Sequence, residues 1–202
     1  MKNNNDFLTL FEKRISEYTK APFVILTDSC TNALFLCLKY LNIKEKNIII
    51  PKRTYISVPQ SIYHAGNKPI FKNIKWYGKY QLGNLPIWDC AVNFKPNMYE
   101  SNQFMCLSFQ QKKAIGIGKG GAILTDNKKA YKILKRMAHD GRDSGIPVKD
   151  DRNIILGYHM NMIPDDAAKG ILLLNQYNFN NKDIKNYKDY PKINKIFSKN
   201  IF

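Results

Sequence analysis

Apolar residues recur three and four apart at Phe7, Leu8, Phe11, Ile15 and Tyr18, which predicts an amphipathic helix over about Asp6 to Tyr18. Phe23–Thr27 is a short β-rich apolar run, read as a strand, and it turns through Asp28-Ser-Cys-Thr-Asn32 into an apolar helix over Ala33–Leu41. Asn47–Pro51 is a second strand. The loop Lys52–Tyr55 leads to a short helix near Ser57–His64, and Lys68–Ile74 is a third strand. Trp76–Leu85 is polar and turn-rich, and Leu85–Asp89 reads as a fourth strand that ends in a carboxylate. Two more strands lie at Phe104–Phe109 and Ala122–Thr125, followed by a helix over Lys128–Met137 and a charged loop over Arg142–Asn153. A last helix covers Asp165–Gln176, its acidic start suited to the helix dipole. Strands alternating with helices predict an α/β fold with a largely parallel sheet. Residues 1–176 form one domain in this reading. Residues 177–202, rich in Asn, Lys and Tyr, form a polar tail that is an appendage or a packing arm.

The chain is organised around Phe104–Asp126, where two buried strands flank the adjacent lysines Lys112 and Lys113 and the glycines Gly116, Gly118, Gly120 and Gly121. Clustered glycines in a strand context point to unusual backbone angles or the close approach of another group. A lysine tethered there loses hydration, which lowers its pKa and frees the amine as a nucleophile of the Schiff-base type. The alternative is a surface hairpin with solvated lysines. Gly116-Ile-Gly-Lys-Gly-Gly121 also fits the spacing of a dinucleotide-binding turn. That turn must open a helix, and a strand follows here, so the dinucleotide reading is rejected.

Two other places carry candidate chemistry. A strand that turns into a helix at Ser29-Cys30-Thr31 offers backbone N–H groups and hydroxyls to an anion, or simply caps the helix through Ser29 or Asp28. Asp89 ends a strand, where ligands of α/β sheets bind, although a carboxylate there also suits a turn.

Composition narrows the classes. Hydrophobic residues make up 44% and aromatics 12%, values of a soluble globular protein. Lys+Arg 32 against Asp+Glu 16 gives a net charge of +16. The excess is lysine spread along the chain, which reads as a solvated surface able to draw anionic small molecules, not as a nucleic-acid docking patch. Cys30, Cys37, Cys90 and Cys106 lack paired spacing and sit among apolar residues, as free thiols do in a reducing compartment. His64, His139 and His159 lack metal-ligand spacing, so no metal site is expected. The start lacks an apolar signal core and no run reaches membrane-spanning length, so a cytoplasmic protein is expected.

Five motifs in order resemble the DegT/DnrJ sugar aminotransferases, which use pyridoxal 5'-phosphate (PLP) on the aspartate-aminotransferase-like fold (fold type I). Ser29-Cys-Thr-Asn-Ala-Leu34 resembles the S-G-T-A-A-L phosphate turn, and Pro51-Lys-Arg-Thr-Tyr55 the P-x-x-T-[FYW] loop. Asp89-Cys-Ala-Val92 is similar to D-A-A-Q, and Ser108-Phe-Gln-Gln-Lys-Lys113 with Gly118-Lys-Gly-Gly-Ala122 to S-F-x-x-x-K and G-x-G-G-A. Gly157-Tyr-His-Met-Asn-Met162 with Ala167-Ala168 is similar to G-Y-x-x-N-[LM] with A-A. The resemblance implies a Schiff-base and proton-shuttling role for Lys113, not Lys112. It implies that Asp89 pairs with the cofactor ring nitrogen and that Tyr55 stacks on the ring. Cys30 and Thr31 through their backbone, and Ser108 through its hydroxyl, would hold the phosphate. Asn161 would reach the phosphate of a neighbouring subunit, in a homodimer with composite sites.

The departures from the family pattern carry expectations too. Val92 stands where the family has a glutamine on the ring hydroxyl. Between Ile74 and Leu85 about one strand–helix unit, roughly forty residues, is missing, which would place Leu85–Trp88 beside Asn47–Ile50. Beyond Gln176 most of the C-terminal small domain is absent, which leaves the sugar site poorly walled. The expected activity is transfer of an amino group from glutamate, or a similar donor, to a keto-sugar nucleotide in polysaccharide biosynthesis. The alternative is a catalytically reduced, aminotransferase-like binding subunit that needs a partner.

Overall fold

The computed structural model describes residues 5–180 and 184–193. Among the described residues, seven strands and five α-helices follow one another in an α/β arrangement. They are α1 (Asn5–Thr19), β1 (Phe23–Thr27), α2 (Cys30–Tyr40), β2 (Asn47–Pro51), α3 (Ser57–His64), β3 (Lys68–Lys72), β4 (Tyr80–Gln81), β5 (Ile87–Asp89), β6 (Phe104–Ser108), β7 (Gly121–Thr125), α4 (Lys128–Ala138) and α5 (Pro164–Gln176). Apart from β4, which falls in the stretch read as turn-rich, the helices and strands read from the sequence are those found, with ends shifted by up to three residues.

Five strands form one sheet in the order β1-β7-β6-β5-β4. Alternation along each central strand builds two cores. Ile25, Phe104, Cys106 and Ile123 face α2, α3 and α4, while Val24, Leu26, Met105, Leu107, Ala122 and Leu124 face α1 and α5. Both faces of the sheet are therefore covered, which is why these strands read as unbroken apolar runs. Each fully buried Leu, Ile or Phe contributes roughly 1.5–3 kcal/mol relative to exposure.

The sheet is mixed, not largely parallel. β5 and β6 pair in parallel, whereas β7 lies antiparallel between β1 and β6 and β4 is antiparallel to β5. The glycine-rich connection between β6 and β7 forms no helix and folds back on itself, Phe109 N–H donating to Gly120 O (2.9 Å) and Gln111 N–H to Gly118 O (3.2 Å), so β7 returns antiparallel.

The pairing expected for Leu85–Trp88 is also different. β5 sits between β6 and a local hairpin strand, β4, in the stretch read as turn-rich. β2 pairs instead with β3 as a separate parallel ribbon and is hydrogen-bonded to the hairpin at its turn, where Gly83 N–H donates to Ile49 O (2.8 Å). Gly83 adopts φ +55°, a turn conformation glycine accepts without strain. Closing a hairpin of a few residues costs less chain entropy than bringing β2 across from far along the chain.

Among the C-terminal residues, 184–193 pack against the molecule. Gly78 N–H donates to Lys185 O (2.8 Å) and Ile193 N–H to Lys52 O (2.9 Å), and Arg53 Nη1 donates to Tyr190 O (2.6 Å). The rest of the tail from residue 194 lies outside the described residues.

Candidate active site

Strand register gathers the site. Ser108 at the end of β6 lies across from Gly121 at the start of β7, and Thr27 at the end of β1 lies across from the same glycine. One strand further, Asp89 ends β5 opposite Cys106. The ends of three strands thus open on one edge of the sheet, and α2 starts there.

A Cβ on Gly121 would lie 2.4 Å from Ser29 C and 2.5 Å from Cys30 N. Only a glycine lets the first turn of α2 settle this close to the sheet. Ser29 is the N-cap and its Oγ accepts from Asn32 N–H (3.2 Å), so capping and anion presentation coexist at this turn. The N–H groups of Cys30 and Thr31 belong to the first helical turn, which has no intrahelical acceptors to offer them. Asp28 lies beside this turn, held by Asn32 Nδ2 (2.6 Å) and by the exposed ammonium of Lys119 (3.3 Å).

A cavity of about 530 Å³ opens over this edge, lined in part by Cys30, Thr31, Tyr55, Asp89, Ser108 and Lys113. Six of the seven residues singled out from the sequence therefore share one cavity. The seventh, Asn161, does not. It lines a separate cavity beside α1 and α4 with His139, its Nδ2 donates to Met162 O (3.4 Å), and its Oδ1 is buried without a partner among the described residues.

Burial separates the two lysines: Lys112 is exposed and Lys113 is half-buried. The loop holds Lys113 through its N–H to Gln110 O (2.8 Å). Burial lowers the Lys113 pKa, Asp89 and Cys30 oppose that shift, and Lys185 adds to it. Asp89 is buried and its pKa is raised by desolvation. Three groups hold it down: the Tyr80 hydroxyl, the Ala91 N–H and the charge of Lys113. Burial keeps the Cys30 thiol protonated, so it is not a competing nucleophile. Tyr55 stands at the mouth of the cavity, 59% exposed, open to stack on a flat ligand.

Lys113 also lines a second cavity of about 360 Å³ with Val92, Phe94, Lys112, Tyr177 and Lys185. The amine thus stands between two spaces.

The donor set fits PLP. First-turn N–H groups and the hydroxyls of Thr31 and Ser108 suit a phosphate, a buried carboxylate suits a protonated ring nitrogen, and a partly desolvated amine suits an aldehyde.

Sequence reasoning missed Tyr80 and Tyr190. Tyr80 O–H donates to Asp89 Oδ2 (2.5 Å), and Tyr190 closes the cavity from the C-terminal residues. Tyr80 could have been found from the two short runs around Leu82-Gly-Asn84, a hairpin signal that brings Tyr80 opposite Asp89.

The sequence model of the DegT/DnrJ/EryC1/StrS aminotransferase family matches residues 2–78 and 98–191. Asp89 and Tyr80 fall between the matched stretches. Among curated proteins, the chain is 24% identical over 215 residues to a 3-oxo-glucose-6-phosphate:glutamate aminotransferase of Bacillus subtilis, covering 87% of this chain and 48% of the relative. It is also 24% identical over 240 residues to a UDP-4-amino-4,6-dideoxy-N-acetyl-beta-L-altrosamine transaminase of Campylobacter jejuni, covering 94% and 61%. The chain thus spans about half the length of the curated relatives it matches. Among solved structures, NtdA of Bacillus subtilis with bound PMP superposes with a TM-score of 0.68 at 22% identity, covering 83% of this chain and 47% of that one. DesV of S. venezuelae in complex with a ketimine intermediate superposes with a TM-score of 0.68 at 17% identity, covering 84% and 56%. These superpositions establish the fold of PLP-dependent aminotransferases for this chain.

Proposed function

This chain belongs to the DegT/DnrJ/EryC1/StrS aminotransferase family, and on that premise we propose that it binds PLP in the larger cavity and transfers an amino group to a keto sugar. The single observation that carries this reading is the meeting of Lys113, Asp89 and the start of α2 in one cavity. When bound, PLP supplies an aldehyde that takes up the donor's amino group and a protonated ring that draws electrons from the reacting carbon.

The chain's own residues do the rest. Cys30 and Thr31 present N–H groups to the phosphate, with the Ser108 and Thr31 hydroxyls beside them. Asp89, desolvated and hydrogen-bonded, holds the proton on the ring nitrogen. Tyr55 covers the ring from the open side. Lys113, its ammonium destabilised by burial, gives up its proton readily and carries protons to and from the reacting carbon.

The substrate follows from charge. Lys112 and Lys185 line the second cavity and the chain carries +16 overall. Both favour an anionic keto sugar, for which a sugar nucleotide in cytoplasmic polysaccharide biosynthesis is our reading, with glutamate as donor. Asn161 lines a different cavity from Lys113, which supports a homodimer in which it serves the phosphate of the second copy. Residues 1–176 form the catalytic domain in this proposal, and 177–202 a tail of which Lys185, Asp189 and Tyr190 border its site.

The test is spectroscopic. Purified protein given PLP is expected to gain a visible absorption band that glutamate bleaches and a keto-sugar nucleotide restores. A band that no amino donor changes would support the binding-subunit alternative instead.

A further inference from the structure

The hairpin β4–β5 carries a buried chain of hydroxyls to Asp89. Tyr80 O–H donates to Asp89 Oδ2 at 2.5 Å. On its other side the Tyr80 oxygen meets Thr54 Oγ1 in a short hydrogen bond. Tyr80 has one proton, already given to the carboxylate, so Thr54 must be the donor in that second bond. The order Thr54 → Tyr80 → Asp89 is fixed by counting protons. Tyr80 is 5% exposed, Asp89 6% and Thr54 2%, so water does not compete for these bonds. The Tyr80 ring rests on Trp76 (centroids 5.2 Å), whose Nε1–H donates to Arg53 O (2.8 Å). The chain therefore ties the loop that carries Tyr55 to the strand end that carries Asp89.

The other carboxylate oxygen, Oδ1, accepts from Ala91 N–H (3.0 Å). Each oxygen then keeps one lone pair for a ligand, and the carboxylate cannot rotate without breaking both bonds. Around Asp89 the titratable groups are Tyr80 from β4, Cys30 from α2, Cys90 next in sequence, Tyr190 from the C-terminal residues and Lys113 from the β6–β7 loop. The two thiols and both phenols are pushed upward and stay neutral. Tyr80 and Lys113 are left as the side chains that favour the ionised carboxylate. Tyr80 does so without carrying a charge that would repel a protonated ring.

We propose that Tyr80 is a positioning residue, which orients Asp89 and keeps it ionised so that its free lone pairs face a cationic ring N–H in the cavity. This rests on the PLP reading above and adds to it a residue from the stretch the family model leaves unmatched.

Tyr80→Phe keeps the ring and removes the bond. In the protein without cofactor, carbon-13 NMR of labelled aspartate is expected to show the Asp89 midpoint moved upward by Tyr80→Phe. PLP affinity, read by titration of the visible band, is expected to weaken about tenfold, the typical worth of one hydrogen bond to a charged group. In an Asp89→Asn background the same change is expected to cost little, because no ionised carboxylate remains to hold. An unmoved midpoint, or losses that simply multiply in the double variant, would overturn the role of Tyr80 and leave the cofactor reading standing. PLP affinity untouched by Asp89→Asn would overturn the cofactor reading and the proposal with it. Should Tyr80→Phe fail to fold, replacing Tyr80 with a fluorinated tyrosine keeps the shape and strengthens the donor. The Asp89 midpoint must then fall, and a midpoint that stays in place overturns the proposal.

Discussion

Gly121 and Ser29 meet backbone to backbone: a Cβ on the glycine would stand 2.4 Å from the Ser29 carbonyl carbon and 2.7 Å from its oxygen. No flexible side chain is there to give way. A glycine inside a strand normally costs stability, and here it sets the distance between the sheet and the anion-binding end of α2.

Gly121→Ala is therefore expected to push α2 away from the sheet. Instead of the small gain that alanine usually brings within a strand, a loss of about 1–3 kcal/mol is expected from overpacking. Urea unfolding measures the loss. Phosphate affinity of the same variant is expected to fall, and an unchanged affinity would show that the first turn of α2 does not hold the anion.

Asp89→Asn is expected to stabilise the cofactor-free protein at neutral pH while weakening PLP binding. The Asp89 pKa is raised in the fold above its usual 3.8. Between those two values the folded state keeps a proton that the unfolded chain has lost, so the wild type loses stability as pH rises through the window. The asparagine lacks that loss, and its amide can donate to Tyr80 if the hydroxyl chain reverses toward Thr54. Melting curves at several pH values should show the two proteins converging below pH 3.8 and separating above it.

Gly170→Ala tests the far side of the sheet. Its Cβ would come 2.4–2.8 Å from the Phe11 ring, which is buried and packed on Phe109. A loss of about 1–3 kcal/mol is expected, with Lys113 chemistry unchanged.

Much of this was legible in the sequence. The apolar runs of β1, β6 and β7 are covered on both faces, so their identity did not depend on knowing their partners. The motifs at Ser29, Tyr55, Asp89, Ser108 and Lys113 lie at strand ends or in the loops beyond them, where order along the chain suffices to bring them to one edge. Strand direction was not legible, because the connection before β7 is long enough for a crossover, and its folding back rests on hydrogen bonds within the loop, such as Gln111 N–H to Gly118 O. Tyr80 was hidden for another reason: its role depends on the register of a two-residue strand, and its neighbours look like a polar loop. Asn161 carries a family motif, yet within one chain its cavity is a different one.

Asn161 and Lys113 in different cavities lead to a subunit-mixing experiment. Asn161→Ala and Lys113→Ala proteins, each impaired alone, are expected to regain one competent site per mixed dimer. Persistent inactivity of the mixture, or PLP retained by a monomer at dilution, would contradict the composite site.

The central claim is that Lys113, not its neighbour Lys112, is the reactive amine of a PLP site. Both side chains line the larger cavity with Asp89, but Lys112 is exposed, whereas the Lys113 amine is partly desolvated and feels the charge of Asp89. The most direct measurement is borohydride reduction of the PLP-loaded protein followed by peptide mapping. The account predicts a stable label on Lys113, abolished by Lys113→Ala and retained in Lys112→Ala. A label on Lys112, or no label in a protein saturated with PLP, would contradict it.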